Sequence, residues 1–290
     1  MTPRAALLRI VMQEDVNFLI TNRLPRRWLT LLAGRVSRLE HPWVRALGLA
    51  LWRLFSDLDL SEARSTEFAS LHAVFTRQLK EGARPLDPDP ATVVSPCDGI
   101  VGALGQVEAG MVLQAKGFPY RLAELLSSED EARAHAGGSY VTLRLTAGMY
   151  HRFHAPHDCR VDHVTYISGD TWNVNPIALA RIERLFCKNE RAVIRCRLDA
   201  GAVPVTLVAV AAILVASIRL HFLEGALNLR YRGPHELPCR ARLEKGEEMG
   251  YFEHGSTIIV LLPPGMQLAN GLAPGQRIRM GEPLARLAPA

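Results

Sequence analysis

Ala200-Gly201-Ala202-Val203-Pro204-Val205-Thr206-Leu207-Val208-Ala209-Val210-Ala211-Ala212-Ile213-Leu214-Val215-Ala216-Ser217-Ile218 is the stretch on which the fold turns. It runs 19 residues without a charge, close to the length a helix needs to cross a bilayer. Gly201 and Pro204 interrupt it, and valines stand at 203, 205, 208, 210 and 215. Valine favours strands, and a strand buried on both faces reads as a continuous apolar run. The stretch predicts two short buried strands rather than a membrane span.

The chain around it has the same texture. Short apolar steps at Val93-Val94 and Ile100-Val101 flank an Asp-Gly turn, strand-like runs recur at 140–145, 159–167, 193–198, 256–262 and 277–280, and one short helix is expected over 179–186. The N-terminal part is different. Large apolar residues recur there at helical spacing, as Trp28, Leu31, Leu32, Val36 and Leu39, then Trp43, Val44, Leu47, Leu51 and Leu54. Pro25 and Pro42 mark helix starts. Gly82, Pro85, Pro88 and Pro90 mark a linker. The expected fold class is α+β: N-terminal amphipathic helices over 1–80, then a β-rich domain, barrel- or sandwich-like, over 81–290.

Residues 1–56 hold nine arginines against Glu14, Asp15 and Glu40, a balance of +6. The whole chain carries +5, so the remainder stands at −1. Basic residues confined to one helical segment, without aromatic stacking platforms on the main domain, argue against nucleic acid. Three of the four tryptophans, at 28, 43 and 52, lie in that segment. A basic, tryptophan-bearing helix suits an anionic membrane surface; a helical pair packed on the domain with its arginines in water is the alternative. The five cysteines (97, 159, 187, 196 and 239) are odd in number and form no Cys-x-x-Cys pair, so buried inert thiols in a reducing compartment are expected. The N-terminal sequence predicts no secretory signal.

Gly255-Ser256-Thr257 stands at the mouth of the apolar run Ile258-Ile259-Val260-Leu261-Leu262. A small step there exposes a hydroxyl and the peptide carbonyl before it, which is what a serine needs to attack its own N-terminal peptide bond. Asp98, in Pro96-Cys97-Asp98-Gly99, and His151 and His154, in Tyr150-His151-Arg152-Phe153-His154, complete a candidate set of carboxylate, base and nucleophile. Asp-Gly turns and histidine clusters are common, and a serine hydrolase would use the same residue types, although no Gly-x-Ser-x-Gly elbow is present. No metal site is expected, since His-Glu-x-x-His is absent.

Eight ordered strings resemble the phosphatidylserine decarboxylase family in its bacterial membrane-associated form. They begin with Phe75-Thr76-Arg77-Gln78-Leu79-Lys80-Glu81-Gly82-Ala83-Arg84-Pro85, the Asp98 string, Leu113-Gln114-Ala115-Lys116-Gly117-Phe118-Pro119-Tyr120 and the His151 string. They continue with Gly169-Asp170-Thr171-Trp172-Asn173-Val174-Asn175, Asn189-Glu190-Arg191, Lys245-Gly246-Glu247-Glu248-Met249-Gly250-Tyr251-Phe252 and Gly255-Ser256-Thr257. The departures are His254 for leucine, alanine for glycine at 211 and 216, and Cys97 for a small apolar residue.

The resemblance implies a proenzyme whose 81–290 domain is catalytic. Ser256, with His154 as base oriented by Asp98, cuts the bond after Gly255, giving a beta chain of 1–255 and an alpha chain of 256–290. Ser256 is converted to a covalent pyruvoyl cofactor. Through a Schiff base to that group, phosphatidylserine yields phosphatidylethanolamine and CO2, with His151 returning the proton. The implied partners are the lipid, an anionic membrane at the cytoplasmic face, and the second fragment in a heterodimer, with a homodimer of these by analogy. A related decarboxylase of a soluble amino acid and a non-catalytic biotinyl- or lipoyl-like carrier module are the alternatives.

Overall fold

The computed structural model describes residues 11, 13–114, 118–214, 217–253 and 256–288. Helices α1 (Glu14–Phe18), α2 (Arg26–Val36), α3 (Pro42–Phe55) and α4 (Leu71–Phe75) come first. Pro25 caps α2 and Pro42 opens α3, where a missing N–H costs nothing. Ser70 caps α4 by accepting from Ala73 N.

Twelve strands of the two larger sheets follow. They are β1 (Gly99–Gln106), β2 (Ser139–Leu145), β3 (Arg152–His154), β4 (Cys159–Ile167), β5 (Arg191–Leu198), β6 (Pro204–Ala211), β7 (Ser217–Leu220), β8 (Leu227–Asn228), β9 (Glu236–Leu243), β10 (Glu248–Phe252), β11 (Ser256–Leu262) and β12 (Arg277–Ile278). The large sheet has the order β9-β4-β5-β6-β11-β2-β1-β12, with every pairing antiparallel. The small sheet has the order β8-β7-β10-β3. The uncharged stretch thus forms β6 and the first two residues of β7, which continues through Arg219 to Leu220, and among the described residues no helix is long and apolar enough to cross a membrane.

The small sheet packs on one face of the large one. Phe153, Ile218, Met249 and Phe252 meet Val101, Leu143, Ile194, Leu207, Ile258 and Val260 there. On the opposite face Val193, Val208, Val210, Ile259 and Leu261 pack against the short helices α5 (Leu122–Leu126) and α8 (Leu185–Lys188). β11 is paired on both edges and covered on both faces. Ile258 through Leu262 are wholly buried, each worth roughly 1.5–3 kcal/mol relative to exposure. Among the described residues the end strands β9 and β12 pair with no ninth strand, so the sheet is open and the barrel expectation gives way to layered open sheets.

Three further expectations change. Residues 179–186 are not one helix: α7 (Pro176–Leu179) and α8 flank a turn. β9 has no counterpart among the predicted runs; it alternates exposed and half-buried residues at the sheet edge and carries Pro238 beside a register shift, where a missing N–H is tolerated. Cys187 and Cys239 are half-buried rather than buried.

Candidate active site

Ser256 is the first residue of β11, opposite Leu145 on β2 and Ala211 on β6. It is fully buried, and its hydroxyl has no hydrogen-bond partner among the described residues. Gly255 and His254, like Ala216, lie outside the described residues.

His151 precedes β3 and reaches the same end of the sheet, because its carbonyl accepts from Phe252 N at 3.0 Å, four residues before Ser256. Its Nδ1 lies 2.9 Å from Met149 O. Its ring packs on Phe75 at a centroid distance of 4.0 Å, and Phe75 stacks on Trp52 at 5.5 Å. Phe75 and Trp52 line a cavity of about 470 Å³ with Val36, Leu71, Leu145 and Ala212. Leu145 is the cross-strand partner of Ser256, so this apolar cavity runs from α2, α3 and α4 to the vicinity of the serine.

His154 ends β3. Its backbone N–H donates to Pro96 O at 2.7 Å, which ties β3 to the Asp98 turn. Nδ1 is 2.9 Å from Gly246 O, and Nε2 is 3.0 Å from Tyr150 Oη. A carbonyl only accepts, so the proton is assigned to Nδ1 and Nε2 accepts from the Tyr150 hydroxyl. Burial holds the His154 pKa below the usual histidine range, which favours this neutral form.

Asp98 is held by a fork. Arg84 Nε and Nη2 reach its two oxygens at 2.8 and 2.6 Å, and Met280 N donates at 3.0 Å. Burial opposes the Arg84 charge, but its bonds to Asp98 and Glu62 prevail and raise its pKa. Asp98 acts on His154 through space, not through a hydrogen bond, since both ring nitrogens are engaged elsewhere. The expected orienting contact is therefore replaced by Gly246 O and Tyr150. His154, Tyr150, Arg84, Glu248 and Met280 line a second cavity of about 440 Å³. Of the four expected residues, His154 lines the polar cavity and Asp98 adjoins it through Arg84, while Ser256 and His151 each neighbour a lining residue of the apolar one, Leu145 and Phe75.

Sequence reasoning gave Arg84, Tyr150, Phe75 and Glu190 no role, although all four sit in the quoted strings. Arg84 lies within the linker, and its pairing across 14 positions has no local signature. Glu190 is fully buried, and neither carboxylate oxygen has a hydrogen-bond partner among the described residues. Burial pushes its pKa up to about 8, against the opposing pull of Arg27.

Comparison with known proteins identifies the family. The family model described as Phosphatidylserine decarboxylase matches residues 71–286, which contain the lining of both cavities except Arg64, Ser37 and the residues of α2 and α3. The curated phosphatidylserine decarboxylase proenzyme of Halorhodospira halophila is 41% identical, with 91% of each chain covered. That of Pseudomonas fluorescens is 38% identical over 90% of this chain and 93% of its own. That of Brevibacillus brevis is 35% identical over 92% and 96%. With a match across most of its length and across the strands that carry Ser256, the chain belongs to the phosphatidylserine decarboxylase family.

Proposed function

We propose that this chain is a self-maturing phosphatidylserine decarboxylase, releasing phosphatidylethanolamine and CO2 with a pyruvoyl group derived from Ser256. The burial of Ser256 carries this reading. A cut before it by ordinary proteolysis would leave an ammonium group at a fully buried position, which costs several kcal/mol. An uncharged ketone fits the apolar surroundings of Leu145 and Ala211. When formed, the pyruvoyl ketone condenses with the substrate amine and takes up the electron pair left by departing CO2.

The chain's own residues do the rest. Ser256 Oγ attacks the Gly255 carbonyl carbon and passes its proton to neutral His154 at Nε2. Tyr150 holds that nitrogen beforehand, and the carboxylates of Glu248 and Asp98 favour the imidazolium. His151, fixed through Nδ1 by Met149, carries the proton that returns to the substrate carbon. The Gly255–Ser256 C–N bond breaks to leave an ester, and β-elimination releases Gly255 as a carboxylate. Water then displaces the dehydroalanine nitrogen as ammonia to leave the pyruvoyl. The products are the 1–255 and 256–290 fragments, held together as a heterodimer.

The apolar cavity favours a lipid over a soluble amino acid. Its helical wall belongs to 1–80, which we assign to membrane association, leaving 81–290 as the catalytic part. Trp28 and Trp43 are 76% and 80% exposed. Trp28, Leu32 and Val36 on α2, and Trp43, Leu47 and Leu51 on α3, recur at spacing four and point outward. Arg35 lies between them and Arg27 and Arg53 flank them, each worth about 1 kcal/mol near an anionic leaflet. This suits peripheral binding at the cytoplasmic face.

Electrophoresis of wild type and Ser256→Ala tests the reading. Wild type should split into a large and a small fragment, the variant should stay whole, and decarboxylation should occur on phosphatidylserine vesicles but not on free serine. A wild-type chain that never splits sinks it.

A further inference from the structure

Glu190 has no part in the chemistry described so far. Ala211 N donates to its carbonyl at 2.8 Å, and Arg191 pairs with Val210, so Glu190 stands opposite Ala211. Ala211 in turn stands opposite Ser256. Residues directly opposite in antiparallel strands share a face. Ala192, Ala209 and Ile258, each two positions along, all belong to the core beneath the small sheet. Glu190, Ala211 and Ser256 therefore form a row on that face. Each lateral step is about 4.8 Å, which puts the outer Cα atoms about 10 Å apart with one methyl between them.

Both ends of the row are buried polar groups without hydrogen-bond partners among the described residues. Packed cores rarely hold two such orphans side by side without a purpose. The charges around Glu190 are accounted for. Arg27 on α2 acts on it from a distance. Asp170, whose carbonyl accepts from Glu190 N, has its carboxylate bound by Arg26 at 2.6 Å. Arg191 donates to Leu125 O, Glu124 O and Cys187 O, toward the helices of the opposite face. Burial keeps the Glu190 carboxyl protonated up to about pH 8.

We infer that Glu190 is the acid–base partner of Ser256 in self-cleavage, exchanging protons with it across the Ala211 methyl, directly or through one water. This rests on Ser256 being the residue that cuts the chain. As Oγ bonds to the Gly255 carbonyl carbon and its proton passes to His154, the Gly255–Ser256 C–N bond breaks and Glu190 gives its proton to the Ser256 nitrogen. The carboxylate left on Glu190 then takes the Cα proton of Ser256, while the Cβ–Oγ bond breaks and Gly255 departs as a carboxylate. Glu190 ends protonated, as it began, and the new Gly255 carboxylate balances the imidazolium on His154.

The test follows freshly translated full-length chain by electrophoresis from pH 6 to 9.5. Wild type should cleave with a rate that falls above about pH 8. Glu190→Gln keeps the shape and the neutral charge but not the proton; it should cleave at least tenfold more slowly and lose that falling limb. Glu190→Asp keeps an acid on a shorter arm, so it should cleave at an intermediate rate with the limb retained. It also serves as the deciding variant if Glu190→Gln fails to fold by circular dichroism. Equal rates and superimposable profiles for wild type and the folded variants would overturn the inference. A wild-type chain that never splits would overturn the reading of Ser256 and the inference with it.

Discussion

Removing Arg84 while keeping Asp98 should expose how much of the polar cavity rests on one ion pair. The Arg84 side chain is 7% exposed and that of Asp98 11%, and two donor atoms of the guanidinium grip the carboxylate. Arg84→Met keeps the apolar stem and deletes the charge. Asp98 is then left with the Met280 N–H as its hydrogen bond, a nearly buried anion short of its counter-ion. Losing one partner of such a pair costs roughly 3–5 kcal/mol, whereas an exposed pair is worth about 0–1 kcal/mol. The second partner of Arg84, Glu62, is 39% exposed and belongs to the weaker class. The assay is urea unfolding followed by tryptophan fluorescence, in a Ser256→Ala background so that the chain stays in one piece. Arg84→Met should lose about 3 kcal/mol or more. Arg84→Met combined with Asp98→Asn should recover a large part, because no buried charge is then left unpaired. A single variant within about 1 kcal/mol of its parent, or a double variant as weak as the sum of both singles, would refute the account of this pair as buried and mutually dependent.

Separate roles for the two histidines predict separate losses. His154→Ala should slow self-cleavage by about 10²–10⁴-fold. His151→Ala should still yield both fragments while decarboxylation falls by a similar factor, read by electrophoresis and CO2 release. His135, fully buried with Nε2 2.9 Å from Thr206 Oγ1, has its pKa lowered by burial to about 4. The unfolded chain binds that proton near pH 6.5, so the stability from His135 is full above 6.5 and falls as pH drops toward 4. Relative to His135→Gln, the parent should lose up to about 1.4 kcal/mol per pH unit across that window in urea titrations. At Gly250 an added Cβ would lie 2.0 Å from Arg219 O on the neighbouring strand. Gly250→Ala should therefore cost more than about 2 kcal/mol and lower the melting temperature by several degrees.

What could be read in advance followed how local the physics is. β6 and β11 were legible because strands buried on both faces must be largely apolar, and a run such as Ile258 to Leu262 satisfies that alone, whereas β7 was only half legible because it carries Arg219. β1 was legible only at residues 100–101, since Gly102 and Gly105 dilute its pattern, and β9 not at all, because an edge strand with one wet face and a proline carries little apolar signal. At the site, residue types pointed to Ser256, His151, His154 and Asp98, but the contacts that give each its state come from elsewhere in the chain. Gly246 stands 92 positions from His154, Phe75 packs from the helical region onto His151, and Glu190 meets the Ser256 row through register alone. No spacing rule reports such pairings.

The place of β11 has a kinetic corollary. Before the cut, the central strand folds as part of one chain, and loop closure alone brings it between β2 and β6. A cut before Ser256 would leave residues 256–288 seated through β11, through β12 on β1 and through the pairing of Pro283–Arg286 with Thr92–Val94. Regaining the structure from the unfolded, mature protein would then be a second-order process, slower on dilution and limited by encounter of two separate pieces. The uncut chain would be the form that can fold at any concentration, and cleavage would turn a reversible fold into one retained by the barrier to losing it.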